Sequence, residues 1–438
     1  MSDTQWNFLK GKSVSIARAE GACLYTSEGQ EIIDVAGGAI VCNVGHGRPR
    51  VADAVRRATL DCSYVVPPWL TPSRESLIET LRENWLPKSL TRAHFTSGGS
   101  ESNESAIKLA LHYQQAIGQT RRTKIIGRSI SYHGTTLATA SISGHPKRKA
   151  GLEAALPKFC EVETPYPLRC PMGRYHENAG EHYANLLQEE IESQGPDTIA
   201  AFLAEPITGT SGGAIVPPDE YWPRVREICD RYGVVLIMDE VMTGFGRTGS
   251  TFGYQHWPIE PDILVGGKGL AGGYAPLGGV FATEKIGSAI ENADFQVMFT
   301  TFGAHPAACA AATEVLDIML EEDLVESAKF KGDYLLGRLK DSLAQHPNLG
   351  EVRGKGLLVA VELVKDRETL ELFPEEESIT NKIIGKGLEK GVFFYGGGTG
   401  TVRDLVCFGP AFTITEAQLD RVVDTFVDCV DEVVGSID

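Results

Sequence analysis

The sequence predicts an α/β fold built on a large, mainly parallel sheet, and two observations support this prediction. From residue 124 onward, short runs of β-branched and other apolar residues alternate with amphipathic stretches of helical periodicity, which is the pattern of βαβ units. The runs at 234–238 and 263–265 are apolar without alternation, as expected for strands that are covered on both faces.

Before this alternation, the pattern predicts a hairpin within 20–45, turned at 27–29 and followed by a glycine-rich loop. We predict helices over 50–60, 73–85, 100–117, 181–193 and 219–232. We predict strands over 92–96, 124–127, 199–204, 234–238, 263–265 and 279–282. The stretch 157–180 is rich in turn-forming residues and predicts an irregular surface segment.

The end of the chain predicts a smaller α+β domain. A helix over 306–345, broken near its middle, leads out of the large domain, and a turn at 346–350 follows it. A strand over 356–363 and helices over 380–390 and 416–434 complete the pattern.

The length of 438 residues is enough for two or three domains with a large core. We predict an N-terminal segment that joins the small domain, then a large cofactor-binding domain, then the small α+β domain. These three parts cover 1–60, 61–325 and 326–438.

Composition limits the functional classes. The net charge of −17 argues against a nucleic-acid-binding protein. No apolar run approaches the roughly 18 residues that span a bilayer, and the first residues carry no apolar core of a secretory signal. The nine cysteines are scattered without a C-x-x-C pair, which favours free thiols in a reducing compartment over a disulfide or metal framework. We therefore expect a cytoplasmic protein that contacts neither membrane nor nucleic acid and holds no metal.

Two charged residues follow the two buried strands. Asp239 ends the run at 234–238, and Lys268 comes shortly after the run at 263–265. Parallel strands place such residues at one edge of the sheet, where α/β proteins bind ligands. Pyridoxal phosphate would use both, since Lys268 can form a Schiff base with its aldehyde and Asp239 can keep its ring nitrogen protonated. From this stretch alone, a strand-end aspartate and a loop lysine without a chemical role are an equal alternative.

The sequence Ser-Gly-Gly-Ser at 97–100 lies between a predicted strand and a predicted helix. Glycines let the backbone approach an anion, and the start of a helix offers free N–H groups. A plain helix cap at Ser100 is equally consistent with this pattern. The Lys-Ser/Thr ending of a P-loop is missing, and the G-x-G-x-x-G matches at 244–249 and 267–272 open no helix of a βαβ unit, so neither nucleotide hydrolysis nor dinucleotide binding is predicted.

Further residues at predicted strand ends and loops are weaker candidates. Tyr132 and His133 follow the strand at 124–127, and Glu205 ends the strand at 199–204. A tyrosine there can stack on a flat ring, although packing is its commoner role. Thr301 precedes a helix, where it can cap the helix or reach a phosphate. Arg403 follows a glycine-rich run where a mobile arginine suits a carboxylate, although a solvated surface arginine is the default interpretation.

The ordered motifs resemble those of the class III (ω-) aminotransferases, pyridoxal-phosphate enzymes of fold type I, and are most similar to the amine/ω-amino acid:pyruvate group. The resemblance covers essentially the whole chain. The matching stretches are EGACLYTSEGQEIIDVAGG, VCNVGHGRPR, FTSGGSESNESAIKLA, SYHGTT, AEPITGTSGG, VVLIMDEVMTGFGRTG, PDILVGGKGLAGGYAPLGG and TTFGAHPAACAA.

The resemblance implies roles for individual residues. Lys268 resembles the Schiff-base lysine, Asp239 the acid on the pyridine nitrogen, Tyr132 the aromatic residue on one ring face, and Val241 the apolar residue on the other. The implied cofactor-binding residues are Gly99, Ser100, Tyr132, His133, Glu205, Asp239, Val241, Lys268 and Thr301.

The resemblance also implies partners and a substrate pocket. Thr301 is similar to the hydroxyl that reaches the phosphate of the neighbouring subunit, which implies a homodimer with shared active sites. Ile40 stands where amine:pyruvate members often have a tryptophan in the pocket wall, which implies a wider pocket, and Tyr132 and Arg403 are the other implied substrate-binding residues.

One position departs from the ornithine- and 4-aminobutyrate-type members. Cys407 occupies the place of their arginine, so Glu205 loses its usual arginine partner. Arg403, four residues earlier, resembles the movable arginine of the amine:pyruvate group.

We therefore expect an aminotransferase that moves an amino group from an amine or ω-amino acid to a keto acid, with pyruvate as the expected acceptor, through a Schiff base on Lys268. The alternative is a pyridoxal-phosphate lyase acting on an amino-alcohol phosphate, or a racemase or decarboxylase of the same fold.

Overall fold

The computed structural model describes residues 14–293, 295 and 299–437, so residues 1–13 of the predicted N-terminal segment lie outside the described part. The strands are β1 (Ile16–Glu20), β2 (Cys23–Thr26), β3 (Glu31–Asp34), β4 (Leu90–Thr96), β5 (Lys124–Arg128), β6 (Cys160–Val162), β7 (Ile199–Ala204), β8 (Val235–Asp239), β9 (Ile263–Gly266), β10 (Gly278–Thr283), β11 (Leu349–Lys355), β12 (Leu358–Leu363), β13 (Val392–Phe393), β14 (Tyr395–Gly396) and β15 (Leu405–Phe408).

The α-helices pack around three sheets within these described ranges. They are α1 (Gly37–Ile40), α2 (Pro49–Asp61), α3 (Pro72–Thr80), α4 (Gly99–Ala116), α5 (Leu137–Ile142), α6 (Pro146–Lys149), α7 (Ala179–Gln194), α8 (Tyr221–Tyr232), α9 (Glu284–Asn292), α10 (Pro306–Glu321), α11 (Leu324–Leu343), α12 (Ile379–Glu389) and α13 (Glu416–Val434). A π-helical turn, Leu81–Trp85, continues α3. None of the helices described is long and apolar enough to cross a membrane.

The large sheet has the strand order β4-β10-β9-β8-β7-β5-β6. The pairs β5–β6, β5–β7, β7–β8 and β8–β9 are parallel, whereas β10 is antiparallel to both β4 and β9. The predicted α/β fold with a mainly parallel sheet is therefore confirmed. The direction of β10 was not predictable, because the periodicity of a strand carries no information about its direction.

Helices cover both faces of this sheet, which explains its continuous apolar strands. All residues of β7 and β8 are buried. The odd-numbered apolar residues of β8 pack in the same cluster as α4, and the even-numbered ones pack in the cluster that contains α7 and α8. This alternation also decides which way the residues after the strand point.

Two smaller sheets have the orders β1-β2-β3-β13 and β11-β12-β15-β14. Strand β13 pairs in parallel with β3, so the N-terminal hairpin joins the C-terminal part of the chain. Helix α13 packs against α11 and α12 beside these strands. The three domain boundaries stay a prediction.

Two sequence predictions differ from the structure. The segment 157–180 is not wholly irregular, because β6 adds an edge strand to the large sheet and Tyr166 and Leu168 are buried. The predicted turn at 346–350 overlaps β11, which forms a hairpin with β12 through Gly356, whose φ of +54° suits glycine. The predicted break in the helix over 306–345 is confirmed, since α11 starts after Asp323, where φ is +50°.

Candidate active site

Asp239 is the best-anchored charged residue at the carboxyl edge of the large sheet. As the last residue of β8 it continues the odd-numbered face, which points towards α4. Its Oδ2 accepts a hydrogen bond from Asn103 Nδ2 at 2.8 Å and lies 2.7 Å from His133 Nδ1. Its Oδ1 accepts the backbone N–H of Val241 at 3.0 Å. The carboxylate is buried and held in one orientation from three sides.

Lys268 stands at the same edge because β8 and β9 are parallel. It has a φ of +38°, an unusual conformation for a lysine. Desolvation lowers the pKa of the Lys268 amine to about 8, with the positive charge of Arg247 acting in the same direction and the charges of Asp239 and Glu205 opposing it. A substantial fraction of the amine is therefore neutral and nucleophilic near physiological pH.

The two residues share one cavity. It is lined by Gly99, Ser100, Asn103, Tyr132, His133, Gly134, Glu205, Thr210, Asp239, Val241, Met242 and Lys268. The structure thus brings together the candidate residues Gly99, Ser100, Tyr132, His133, Glu205, Asp239, Val241 and Lys268.

The start of α4 forms a narrow cradle on one side of the cavity. A Cβ atom at Gly99 would lie 2.8 Å from Val241, and one at Gly134 would lie 2.5 Å from Ser100 Oγ. The backbone N–H of Thr135 donates to Ser100 Oγ at 3.2 Å. The first N–H groups of a helix lack partners within the helix, so this cradle suits a phosphate group.

Glu205 faces the cavity, and no arginine of the described ranges pairs with its carboxylate. Its Oε1 accepts the N–H of Gly209 at 3.0 Å, and its Oε2 accepts the N–H of Tyr132 at 3.4 Å. Burial raises the pKa of Glu205, against the opposing charges of His133 and Arg128. Arg128, which the sequence did not single out, donates instead to the carbonyl oxygen of Glu205 at 2.6 Å.

Three candidates lie outside the residues that line the cavity. Ile40 is buried against Gly409 with a φ of +58°. Thr301 is exposed on the surface, where its carbonyl oxygen accepts a bond from Tyr64. Arg403 donates to the carbonyl oxygen of Phe373 at 2.8 Å.

Sequence reasoning missed part of the cavity wall. Asn103, Gly134, Thr210 and Met242 line the cavity but were not proposed as site residues. Asn103 had a usable signal, because it lies one helical turn after Gly99 and therefore shares its face of α4. Thr210 and Met242 follow strand ends in loops, where sequence gives no direction for a side chain.

The donor set fits pyridoxal phosphate. It combines an anion cradle, a carboxylate for a ring nitrogen and an amine of lowered pKa. Asn103 and His133 both line the cavity, and Asn103 Oδ1 and His133 Nε2 are buried with no hydrogen-bond partner among the described residues.

This α/β fold, with such a cavity at the edge of its large sheet, is the fold type I architecture of the pyridoxal-phosphate transferases. Comparison with known proteins identifies the family within this class. A family model described as Aminotransferase class-III matches residues 9–430. The chain therefore belongs to the class-III aminotransferases, enzymes that use pyridoxal phosphate.

Individual relatives agree with this membership. The chain is 36% identical to the taurine–pyruvate aminotransferase of Bilophila wadsworthia, over 93% of this chain and 90% of the relative. It is 33% identical to the putrescine–pyruvate aminotransferase of Pseudomonas aeruginosa, over 96% of this chain and 91% of the relative. Its fold matches the ω-transaminase of Pseudomonas jessenii in complex with PMP with a TM-score of 0.91 and 32% identity, covering 97% of this chain and 93% of that one.

Proposed function

We propose that this aminotransferase moves an amino group from a primary amine or ω-amino acid to pyruvate, with Lys268 as the catalytic amine. The observation that carries the proposal is the pairing in one cavity of Lys268, whose pKa is lowered to about 8, with the anchored carboxylate of Asp239. Two relatives named for pyruvate support the choice of acceptor. No observation favours the lyase, racemase or decarboxylase alternatives.

Pyridoxal phosphate would supply an aldehyde for amines and a ring that accepts electrons from the substrate carbon. The cradle of Gly99 and Ser100 would hold its phosphate. Asp239 would hold the proton on its ring nitrogen, and Asn103 and His133 keep that carboxylate oriented. The Nζ of Lys268, whose pKa is lowered to about 8, would take up the proton from the amine-bearing carbon of the substrate and hand it on when the amino group is transferred.

We also propose a homodimer with shared active sites. The surface of this chain exposes a group of large apolar side chains. Among them are Trp69, which is 67% exposed, and Phe299, which is 62% exposed. Thr301, the residue with an implied role in the partner's site, lies within this group beside Tyr64. Exposed apolar patches of this kind are typical of subunit interfaces. Sedimentation equilibrium tests the dimer, and a fully active monomer would contradict it.

The test of Lys268 is Lys268→Ala, assayed with β-alanine and pyruvate. We expect turnover to fall by about 10⁴-fold or more, because Lys268 is the one amine among the described residues that line the cavity. Borohydride treatment should retain pyridoxal phosphate on the wild-type chain and not on the variant, as measured by mass spectrometry. In the wild type, alanine should form in a one-to-one ratio with the β-alanine consumed. Donor loss without alanine would instead indicate a lyase, and full turnover by the variant would exclude Lys268.

The same variant tests the lowered pKa without using activity. The pKa of Lys268 falls from 10.5 to about 8 on folding, so the unfolded chain binds more protons between these pH values. The free energy of unfolding of the cofactor-free protein should therefore rise with pH in this window. Lys268→Ala should lack that rise, and equal pH profiles would show that Lys268 has an ordinary pKa.

A further inference from the structure

Arg148 lies over the ring of Tyr132, a residue that lines the cavity. Its Cζ lies 4.7 Å from the ring centroid of Tyr132. Arg148 belongs to the short helix α6, which has no buried residue, and His145 at the start of this helix packs edge-on against Tyr132 with the centroids 6.5 Å apart. The positive charge of Arg148 also acts on Tyr395, opposing the burial that raises the pKa of that phenol.

The glycine run at 396–400, after β14, lies beside the same helix. The N–H of Gly398 donates to the carbonyl oxygen of Thr210, a residue of the cavity wall, at 2.8 Å. The side chain of Lys147 lies along Gly400 and pairs with Glu375. Helix α6 and this glycine run therefore each contact a residue that lines the cavity, and α6 contributes the cations.

Arg148 has no anionic partner within the described part of the chain. Its neighbour Lys147 pairs with Glu375, whereas no described carboxylate lies within 4.0 Å of the Arg148 guanidinium. In a chain with a net charge of −17, a guanidinium left unpaired beside the cavity is conspicuous. Stacking on Tyr132 leaves its N–H groups free to bind an anion.

We propose that Arg148 is a specificity-determining residue that binds the anionic group at the far end of the amine donor. The donor class is then ω-amino acids and aminosulfonates rather than diamines. This inference rests on the proposed aminotransferase function. A planar guanidinium suits both carboxylate and sulfonate oxygens, and it repels the second ammonium group of a diamine.

One group in the cavity, Glu205, would favour a diamine over an anionic donor. The carboxylate of Glu205 faces the cavity, and a diamine could place its second ammonium group there. A second alternative is that Arg148 only packs on Tyr132, in which case its loss would affect every donor equally. The relatives leave the matter open, because taurine and putrescine carry opposite charges at the end far from the reacting amine.

The experiment compares Arg148→Ala, Arg148→Lys and Lys149→Ala with the wild type, all as holoenzymes with saturating pyruvate. The donors are β-alanine, taurine, butylamine and putrescine. We expect Arg148→Ala to raise KM for β-alanine and taurine about tenfold, a modest effect because the arginine is exposed, while kcat stays within about twofold. Butylamine should be unaffected, and putrescine should be unaffected or improved. Arg148→Lys should keep most of the preference for anionic donors.

Lys149→Ala is the matched control, since it removes an adjacent cation from the same helix and should leave all four donors within about twofold. Added salt should shrink the effect of Arg148→Ala on the anionic donors. Equal changes for all four donors, or no change for the anionic ones, would overturn the role of Arg148 while leaving the aminotransferase intact. If the wild type transfers no amino group to pyruvate, the proposed function fails together with this inference.

Discussion

Two buried polar clusters in this molecule show opposite ways of treating charge. The ion-pair cluster, formed by Tyr166, Arg169, Arg353 and Glu362, pairs its buried charges with each other. In the cavity, by contrast, Asn103 Oδ1 and His133 Nε2 have no hydrogen-bond partner in the described part of the chain, and burial lowers the pKa of Lys268. Charged groups that are fully paired with each other stabilise one arrangement of the fold. Polar groups without a partner at the carboxyl edge of the sheet can instead bind a ligand and react with it.

The ion-pair cluster holds β12 to loops of the large sheet. Arg353 donates to Glu362 at 2.7 Å, to Glu351 at 2.8 Å, and to the carbonyl oxygens of Gly212 and Gly213 at 2.7 and 2.6 Å. Burial alone would raise the pKa of Glu362, but the charges of Arg353 and Arg169 outweigh it, and the pKa is lowered. A carboxylate this well paired is costly to change.

Two adjacent residues, Asp239 and Glu240, show the same contrast between a charge open to a ligand and a charge bound within the fold. Asp239 and Glu240 follow each other, yet alternation along β8 turns them to opposite faces. Asp239 faces the cavity. Glu240 accepts bonds from Thr243 at 2.5 Å and from the N–H groups of Gly253 and Tyr254 at 2.8 and 2.7 Å, and burial raises its pKa to about 7. Glu240 therefore shapes the loop behind the site, and only Asp239 is available to a ligand.

The sharpest test of this comparison is Glu362→Gln in the ion-pair cluster. Removing one charge of a buried pair leaves Arg353 and Arg169 undercompensated, so we expect a loss of about 3 kcal/mol in the free energy of unfolding. Urea unfolding of the cofactor-free protein measures it. The rates of both half-reactions per folded molecule should change little, because this cluster lies outside the residues that line the cavity.

Glu371→Gln is the control for Glu362→Gln, since it breaks an exposed pair with Lys365 and should cause no measurable loss of stability. A loss below about 1 kcal/mol for Glu362→Gln, or an equal loss for both variants, would show that complete pairing in the buried cluster does not stabilise the fold.

In the cavity, Asp239→Asn should affect mainly the reaction rate, whereas Glu362→Gln should affect mainly the stability. An amide can hydrogen-bond a ring nitrogen but cannot hold its proton, so we expect the barrier to rise by about 2–4 kcal/mol, or roughly 10²- to 10³-fold in rate. The loss of stability should be smaller than for Glu362→Gln, since the amide oxygen can still accept from Asn103, although the amide NH₂ cannot accept the N–H of Val241. Single-turnover kinetics of the holoenzyme measure the rate. A drop of less than threefold would mean that Asp239 has another role.

The sequence predicted those features that depend on local pattern. The apolar runs of β8 and β9 are long enough to be recognised in the sequence. Asp239 and Lys268 follow these runs, and residues at the carboxyl ends of parallel strands lie at the same edge of the sheet, so their position could be predicted. Helix α13 was predicted with its observed bounds, because its apolar periodicity is unbroken and Thr415 caps it.

The remaining features depend on packing between distant segments. Asn103 meets Asp239 across 136 positions of sequence, and Arg148 reaches Tyr132 through a four-residue helix that no periodicity reveals. The hairpin strand β11 was missed because its polar and glycine residues, as in Gly354, give it little strand pattern. Such contacts are set by the tertiary fold and not by neighbouring residues.

Arg403 makes fewer polar contacts with its surroundings than the arginines of the ion-pair cluster do. It donates to the carbonyl oxygen of Phe373 at 2.8 Å, but its Nε has no hydrogen-bond partner among the described residues and lies 3.8 Å from Asp404 Oδ2. Burial raises the pKa of Asp404 to about 6, which the charge of Arg403 opposes. The arginine can therefore leave this position at the cost of one good hydrogen bond.

Movement matters because the two half-reactions place different groups in one cavity. Pyruvate always brings a carboxylate, whereas a simple amine brings none, and a fixed buried arginine would then stay unpaired. Cys407, a buried thiol whose pKa burial raises to about 12, cannot bind the carboxylate at its own position. We expect Arg403→Ala to lower kcat/KM for pyruvate about 30- to 150-fold, the value of a bidentate charge pair, and to leave the half-reaction with butylamine within about twofold. Arg367→Ala is the control in the same stopped-flow measurement, because it removes an exposed arginine whose guanidinium bonds, within the part of the chain that the structure describes, only to the carbonyl oxygen of Ala344. Equal losses in both half-reactions, or none in either, would show that Arg403 does not bind the carboxylate of pyruvate, and the cavity would then need another cation for it.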